Sequence, residues 1–194
     1  MKTAIQIGLA VVIVVLVYLV YDSIMEPVRF NQEAARREAR IIQRLKDIRT
    51  VQLAHRARYG RFNEHLDSLV YFVKNDSMPI VRAIGSVPDT LTEAEAVRLG
   101  IVQRDTIWLA ARDTLLRNAR YAIDSLPYVP FGGGRRFNMK ATTIERGFVT
   151  LPVFEVYTLP EDYMRGLDYR IYYTRMEGLR VGSLIEANFD GNWE

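Results

Sequence analysis

Four groups of residues in this 194-residue chain have types and spacings that could do chemistry. His55 and His65 are its only histidines. A pair so spaced can meet across a hairpin, but neither belongs to an HExxH or similar zinc-ligand pattern, and both are read as surface histidines. Gly132-Gly133-Gly134 ahead of Arg135 and Arg136 offers backbone amides beside two cations, the makings of a phosphate cradle. A phosphate loop of the GxxxxGK[ST] kind must open a helix, whereas RRFNMKA reads as extended, so the glycines are read as a flexible hairpin turn. Asn188, Asp190, Asn192 and Glu194 place oxygens at alternate positions, as the start of a calcium loop does, but without the distal bidentate glutamate that completes one. Serine, histidine and aspartate all occur, yet no GxSxG elbow and no acidic pair stands out. The expectation is a protein with no catalytic residue, no cofactor site and no metal site.

The feature with most physical content is a basic, striped segment. Between Arg29 and Arg58 fall 9 Lys/Arg against 3 Asp/Glu, so the formal charge of +3 is a local surplus on a slightly acidic remainder. Ile41, Leu45, Ile48 and Val51 recur at spacings of four, three and three, one apolar stripe of a helix, while Arg37, Arg40 and Arg44 stand beside it. The arginines suit an anionic lipid surface or the acidic face of a partner, or simply the solvated side of a stalk. Nucleic acid is not expected, because no aromatics are interleaved with the basic residues. Left in water, each aliphatic of the stripe would cost roughly 1.5 to 3 kcal/mol. The stripe therefore packs either on the chain's own sheet or on neighbouring subunits, and these seven residues are the candidate interface.

What positions this segment is the run Ala4–Tyr21, AIQIGLAVVIVVLVYLVY, uncharged and aliphatic on every side. At about 1.5 Å per residue it covers about 27 Å, close to the hydrocarbon thickness of a bilayer. A secretory signal would place small residues at a cleavage site, but VYDSIMEPVRF follows Leu19 with no Ala-x-Ala pattern, so an uncleaved anchor is expected. Lys2 lies on the amino side, Asp22 and Glu26 on the other; the nearest turns favour a cytoplasmic amino terminus and an exported body. Pro27 should kink the helix without ending it, and Gly60 should stop it, giving a rod of roughly 80 Å that could hold the body clear of the bilayer. Without cysteines, disulfides and thiol chemistry are ruled out, and packing alone must hold the fold.

The chain thus divides into an anchor at 1–25, an amphipathic basic stalk at 26–60 and a head at 61–194. In the head, Leu66, Leu69, Val70 and Val73 mark a short helix capped by Asn63. Ile80–Ile84 reads as extended and Ile101–Leu109 as a strand, Thr92-Glu93-Ala94-Glu95 matches a capping box for a helix over Glu93–Leu99, and Ala111–Ala122 is ambiguous. Beyond it, Arg135–Ala141, Gly147–Val156 and Leu167–Thr174 carry aromatic and β-branched runs between glycines and prolines, and Trp193 should pack back on the body. The fold class is α+β, with a long membrane-plus-stalk helix, short helices and a mainly antiparallel carboxy-terminal sheet.

The order in IRTVQLAHRARYGRFNEHLDSLVYFV, Ile48–Val73, is long-helix end, Gly-aromatic turn and short Leu-rich helix. It resembles the type IV pilins and the pseudopilins of type II secretion over about 70 residues. The ending GLRVGSLIEANFDGNWE is similar to that of a family of single-pass envelope proteins from Bacteroidota. The resemblance implies a single-pass protein of a bacterial inner membrane, its body in the periplasm. It would serve as a structural or assembly subunit of an envelope or secretion complex. Its partners would be the lipid bilayer and other proteins of that complex, further copies of itself among them. The rival expectation is an anchored periplasmic binding module for a ligand or partner protein.

Overall fold

In the computed structural model, residues 2–84, 92, 95, 98, 99, 103–167 and 176–194 are described. One helix, α1 (Lys2–Tyr59), runs through both the apolar segment and the striped one, with Pro27 inside it. Every residue from Lys2 to Ile24 is exposed although most are aliphatic, so none of the described residues covers this stretch. It is long and apolar enough to cross a membrane. Gly60 then ends the helix as expected: its φ is 76°, a conformation that favours glycine, and its N–H bonds to the Arg56 carbonyl at 2.7 Å.

The second half of α1 is not a free stalk. Phe30, Ala34, Ile41, Leu45, Ile48 and Val51 are buried in one cluster with Leu69, Val73, Leu126, Phe154, Tyr163 and Val181 of the head. The 26–60 segment is therefore the central element of the head's core. It also does not hold the head far from the apolar run: only residues 26–29, about 6 Å of helix, lie between Met25 and the first core residue.

The head continues with α2 (Leu66–Asn75), β1 (Ser77–Ile84), β2 (Gln103–Ala110), α3 (Ala111–Leu115), a single 3-10 turn at Ile123–Ser125, β3 (Asn138–Arg146), β4 (Val149–Thr158), α4 (Pro160–Tyr163) and β5 (Leu179–Gly182). The α2 helix starts later than expected. Asn63 Oδ1 accepts the His65 N–H at 3.0 Å, so Asn63 shapes the turn before the helix, and His65 occupies the cap position. The ambiguous Ala111–Ala122 segment is helical only over α3. Of the helix expected at Glu93–Leu99, Glu95 and Arg98 are helical; the Glu95 carboxylate accepts the Thr92 N–H at 3.0 Å and its hydroxyl at 2.7 Å, half of the capping box, and the rest lies outside the described residues. The strand expected at Leu167–Thr174 also lies outside them, Leu167 excepted.

Both sheets are antiparallel. β1 and β2 form a ribbon running from Ser77 opposite Ala110 to Ile84 opposite Gln103. The other sheet has the order β3-β4-β5, with Ala141 opposite Phe154 and Val156 opposite Val181. Phe154, Val156 and Thr158 alternate onto its buried side, the period a half-covered sheet requires. Gly182, with φ 79°, is held there because a Cβ would run into the Phe154 carbonyl. The tail covers the outer edge of β5: Gly182 N–H bonds to Asp190 O, Asn192 N–H to Arg180 O, and Trp193 packs on the core cluster.

Candidate functional site

Side-chain contacts along α1 fix the direction of the large sheet. Near the start of the head, Arg37 donates to the Tyr163 carbonyl at 2.9 Å and the Arg165 carbonyl at 2.8 Å, just beyond the end of β4. Fifteen residues further along the helix, Gln52 meets Met139 of β3 at 3.1 Å. Past the end of the helix, the Phe62 ring lies 4.7 Å from that of Phe154. β4 therefore descends along α1 and β3 climbs it. Their connecting turn overshoots Tyr59, so the inner face of the hairpin's outer half loses its helical cover.

Under that face lies an open groove of about 570 Å³. One wall is the turn after α1, with Asn63, His65 and Ser68; the other is the hairpin, with Ala141, Thr143 and Pro152. The turn is held by two buried polar side chains of α1. Gln52 donates to the Asn63 carbonyl at 2.8 Å and accepts the Asn63 N–H at 2.9 Å, answering both backbone groups of one residue. His55 Nδ1–H donates to the Arg61 carbonyl at 2.8 Å, which leaves Nε2 as the acceptor facing the Asn63 amide at 3.4 Å. Its ring meets Phe72 edge-on at 5.3 Å. The surface reading of His55 is therefore corrected: it is 8% exposed, because the Gly60 turn folds the chain back over it. His65 is exposed, and both histidines border the groove.

The hairpin tip is the second unusual feature. Gly147 and Phe148 have φ of 55° and 67°, the pair of positive values of a two-residue type I′ turn. Asn-Gly is the usual choice there; a phenylalanine in the left-handed region costs roughly 1 kcal/mol or more. Its side chain is also 109% exposed, and Val149 beside it is exposed.

The seven candidate interface residues all contact their own head, though Arg40 stays exposed. Ile41, Leu45, Ile48 and Val51 are 0% exposed, so between the two expected locations the stripe takes the intramolecular one and is closed to a neighbouring subunit. Arg37 and Arg40 stack over the Phe131 ring at 5.1 and 5.5 Å. Arg44 lies over the Tyr121 ring, 3.4 Å from its centroid, and donates to the Ser125 carbonyl. Burial lowers the Arg44 pKa and pushes the Tyr121 hydroxyl well up, helped by its 2.6 Å hydrogen bond to Asp47. Glu33 is held below the usual carboxylate range by the 3.0 Å bond from Arg37, whereas burial raises Glu38, which accepts the Tyr163 hydroxyl at 3.4 Å. The head supplies carbonyls and aromatic faces where solvent or a partner was expected.

The remaining groups are tied into the fold. The Gly132–Gly134 segment is a turn closed by Val129 N–H to Arg135 O at 2.8 Å, while Arg135 pairs with Asp162 and Arg136 with Asp67. Asn188 Oδ1 accepts the Asp190 N–H, Asn192 Oδ1 accepts the Arg180 N–H, and the Glu194 carboxylate takes both Arg49 nitrogens at 2.9 and 3.0 Å. Among the described residues, no group of three or more His, Asp or Glu side chains is placed to hold a metal ion. Sequence reading missed the groove and the tip; Gly147 between two β-branched runs was the signal for a turn.

What fold and site define is an α+β head built around the second half of a membrane-length helix. No family model, curated protein or solved structure matches this chain.

Proposed function

We propose that the protein is a membrane-anchored structural or assembly subunit of a bacterial envelope complex, acting through protein–protein contacts made by its head. The observation that carries this reading is the unbroken α1: its bare first half is apolar, and its second half is the core of the head, so anchor and head are one mechanical piece. A subunit whose task is to hold a surface at a set height and azimuth above a bilayer needs that coupling; a ligand carrier on a loose tether does not. Lys2 on the amino side, with Asp22 and Glu26 on the other, supports a single pass of the inner membrane with the head in the periplasm. Cross-linking from the exposed tip of the hairpin in intact membranes tests the assembly role: products joining protomers or a second membrane protein are expected, and a persistently monomeric product overturns it.

The second reading, an anchored periplasmic binding module, is favoured by the groove beside His55, His65 and Thr143. Topology is tested with the chain's own lack of cysteines. A single cysteine at Phe148 should react with a membrane-impermeant maleimide in spheroplasts. Labelling only after lysis would place the head in the cytoplasm and end both readings.

A further inference from the structure

We infer that the outer half of the β3–β4 hairpin is a docking edge for an extended polypeptide segment of a partner, added as a fourth strand alongside β3. This rests on the head acting through protein contacts and names the chemistry of the contact. In the order β3-β4-β5 the tail closes the β5 side, whereas among the described residues no backbone hydrogen bond reaches the outer side of β3. Among the described residues, alternate positions of Asn138–Arg146 therefore present N–H and C=O outward with no backbone partner, a ladder for another strand. The strand is nine residues long, pairs with β4 in register throughout and contains no proline, and its charges, Lys140, Glu145 and Arg146, leave the stretch Ala141–Ile144 between them uncharged.

The groove runs under this edge and is roomy enough for side chains of the added strand. Ala141, Thr143 and Pro152 offer small and apolar contacts on that face, so every second residue of the segment should be small and apolar. At the end of the edge, Phe148 stands wholly in solvent on a strained turn, and the hydration cost of its ring is relieved when a partner covers it.

Other occupants are excluded by place and symmetry. The groove lies at the far end of α1, some thirty residues or about 50 Å of helix beyond Met25, so lipid headgroups of the anchoring bilayer do not reach it. Its rim carries Arg61, Glu64 and His65, a mixed set rather than the basic track a nucleic acid needs. Two copies meeting by the same edge must pair antiparallel about a twofold axis lying across the strands. Because β3 runs along α1, that axis would point the second helix away from the shared bilayer.

The test uses the full chain in lipid nanodiscs. The probe is a fluorescein-tagged, lysine-flanked Thr-Val repeat peptide, with a version N-methylated at alternate amides as control. The unmodified peptide is expected to bind and to slow amide exchange at alternate positions of Asn138–Arg146 by about ten-fold; the N-methylated one should bind at least about ten-fold more weakly, having lost one side of the ladder. Absence of binding, equal binding of both peptides, or protection appearing elsewhere overturns the proposal. So does protection of the same amides without peptide in discs holding two copies, which would make the occupant a second chain. Release of the protein from the discs, read separately by co-sedimentation, would instead count against the anchor.

Discussion

Leu45 gives the sharpest test of the finding that the stripe of α1 is the head's own core. Its side chain is 0% exposed and belongs to the central cluster, so Leu45→Ala removes buried carbons and leaves a cavity that the packed cluster cannot wholly close. Such a change costs about 2 to 5 kcal/mol, a large part of a total stability of roughly 5 to 15 kcal/mol. Taking about 3 kcal/mol and a urea slope of about 2 kcal/mol per molar, the unfolding midpoint falls by about 1.5 M. The assay is urea unfolding in detergent micelles followed by the fluorescence of Trp108 and Trp193, both in the head. Ile48→Val should shift the midpoint by about a third as much, and Val14→Ala, on the bare half of the helix, should not shift it at all. A Leu45→Ala head that unfolds within about 0.2 M of the parent would mean that the stripe faces something other than its own head, and the reasoning would fail.

Three further outcomes are expected. Gln52→Leu leaves the N–H and carbonyl of the half-buried Asn63 without their side-chain partner and should cost about 1 to 3 kcal/mol in the same unfolding assay, with the loss concentrated in amide protection of the 60–65 turn. Phe148→Gly relieves the left-handed strain at the hairpin tip and should stabilise the head by about 1 kcal/mol, raising rather than lowering the urea midpoint. The Glu194 carboxyl is held below its ordinary value of 4.5 by Arg49, so its contribution is present above that value and is lost as pH falls through the lowered folded one. Acidification through the carboxylate range should loosen the tail, seen in Trp193 emission, and Arg49→Gln should flatten that response.

The parts of this architecture that could be read in advance are those in which one local rule decides. An uncharged aliphatic run of this length reads directly as a helix long and apolar enough to cross a membrane, Gly60 is the residue a left-handed helix stop requires, and the four-three-three spacing of Ile41 to Val51 defines a buried face. Periodicity names the face but not what covers it, which is why the stripe could be assigned equally to a neighbouring subunit and to the head. His55 was misplaced for the same reason: one polar ring on a helix looks solvent-facing until a turn eleven residues away from Gln52 folds over it. Asn63 satisfies the composition rule for a cap, but its carboxamide bonds two residues on and delays the helix to Leu66. The hairpin turn was hidden because phenylalanine sits where Asn-Gly chemistry is the usual marker.

Because α1 is continuous, rotational phase passes unbroken from its apolar run to the head. Each residue added between Met25 and Phe30 would swing the head by about 100° around the helix axis relative to the side chains of the apolar run, while an insertion of seven residues, about two full turns, would nearly restore its bearing and raise it by about 10 Å. The four positions 26–29 thus act as a keyed coupling, and their number is as much a part of the protein's specification as any side chain in its core.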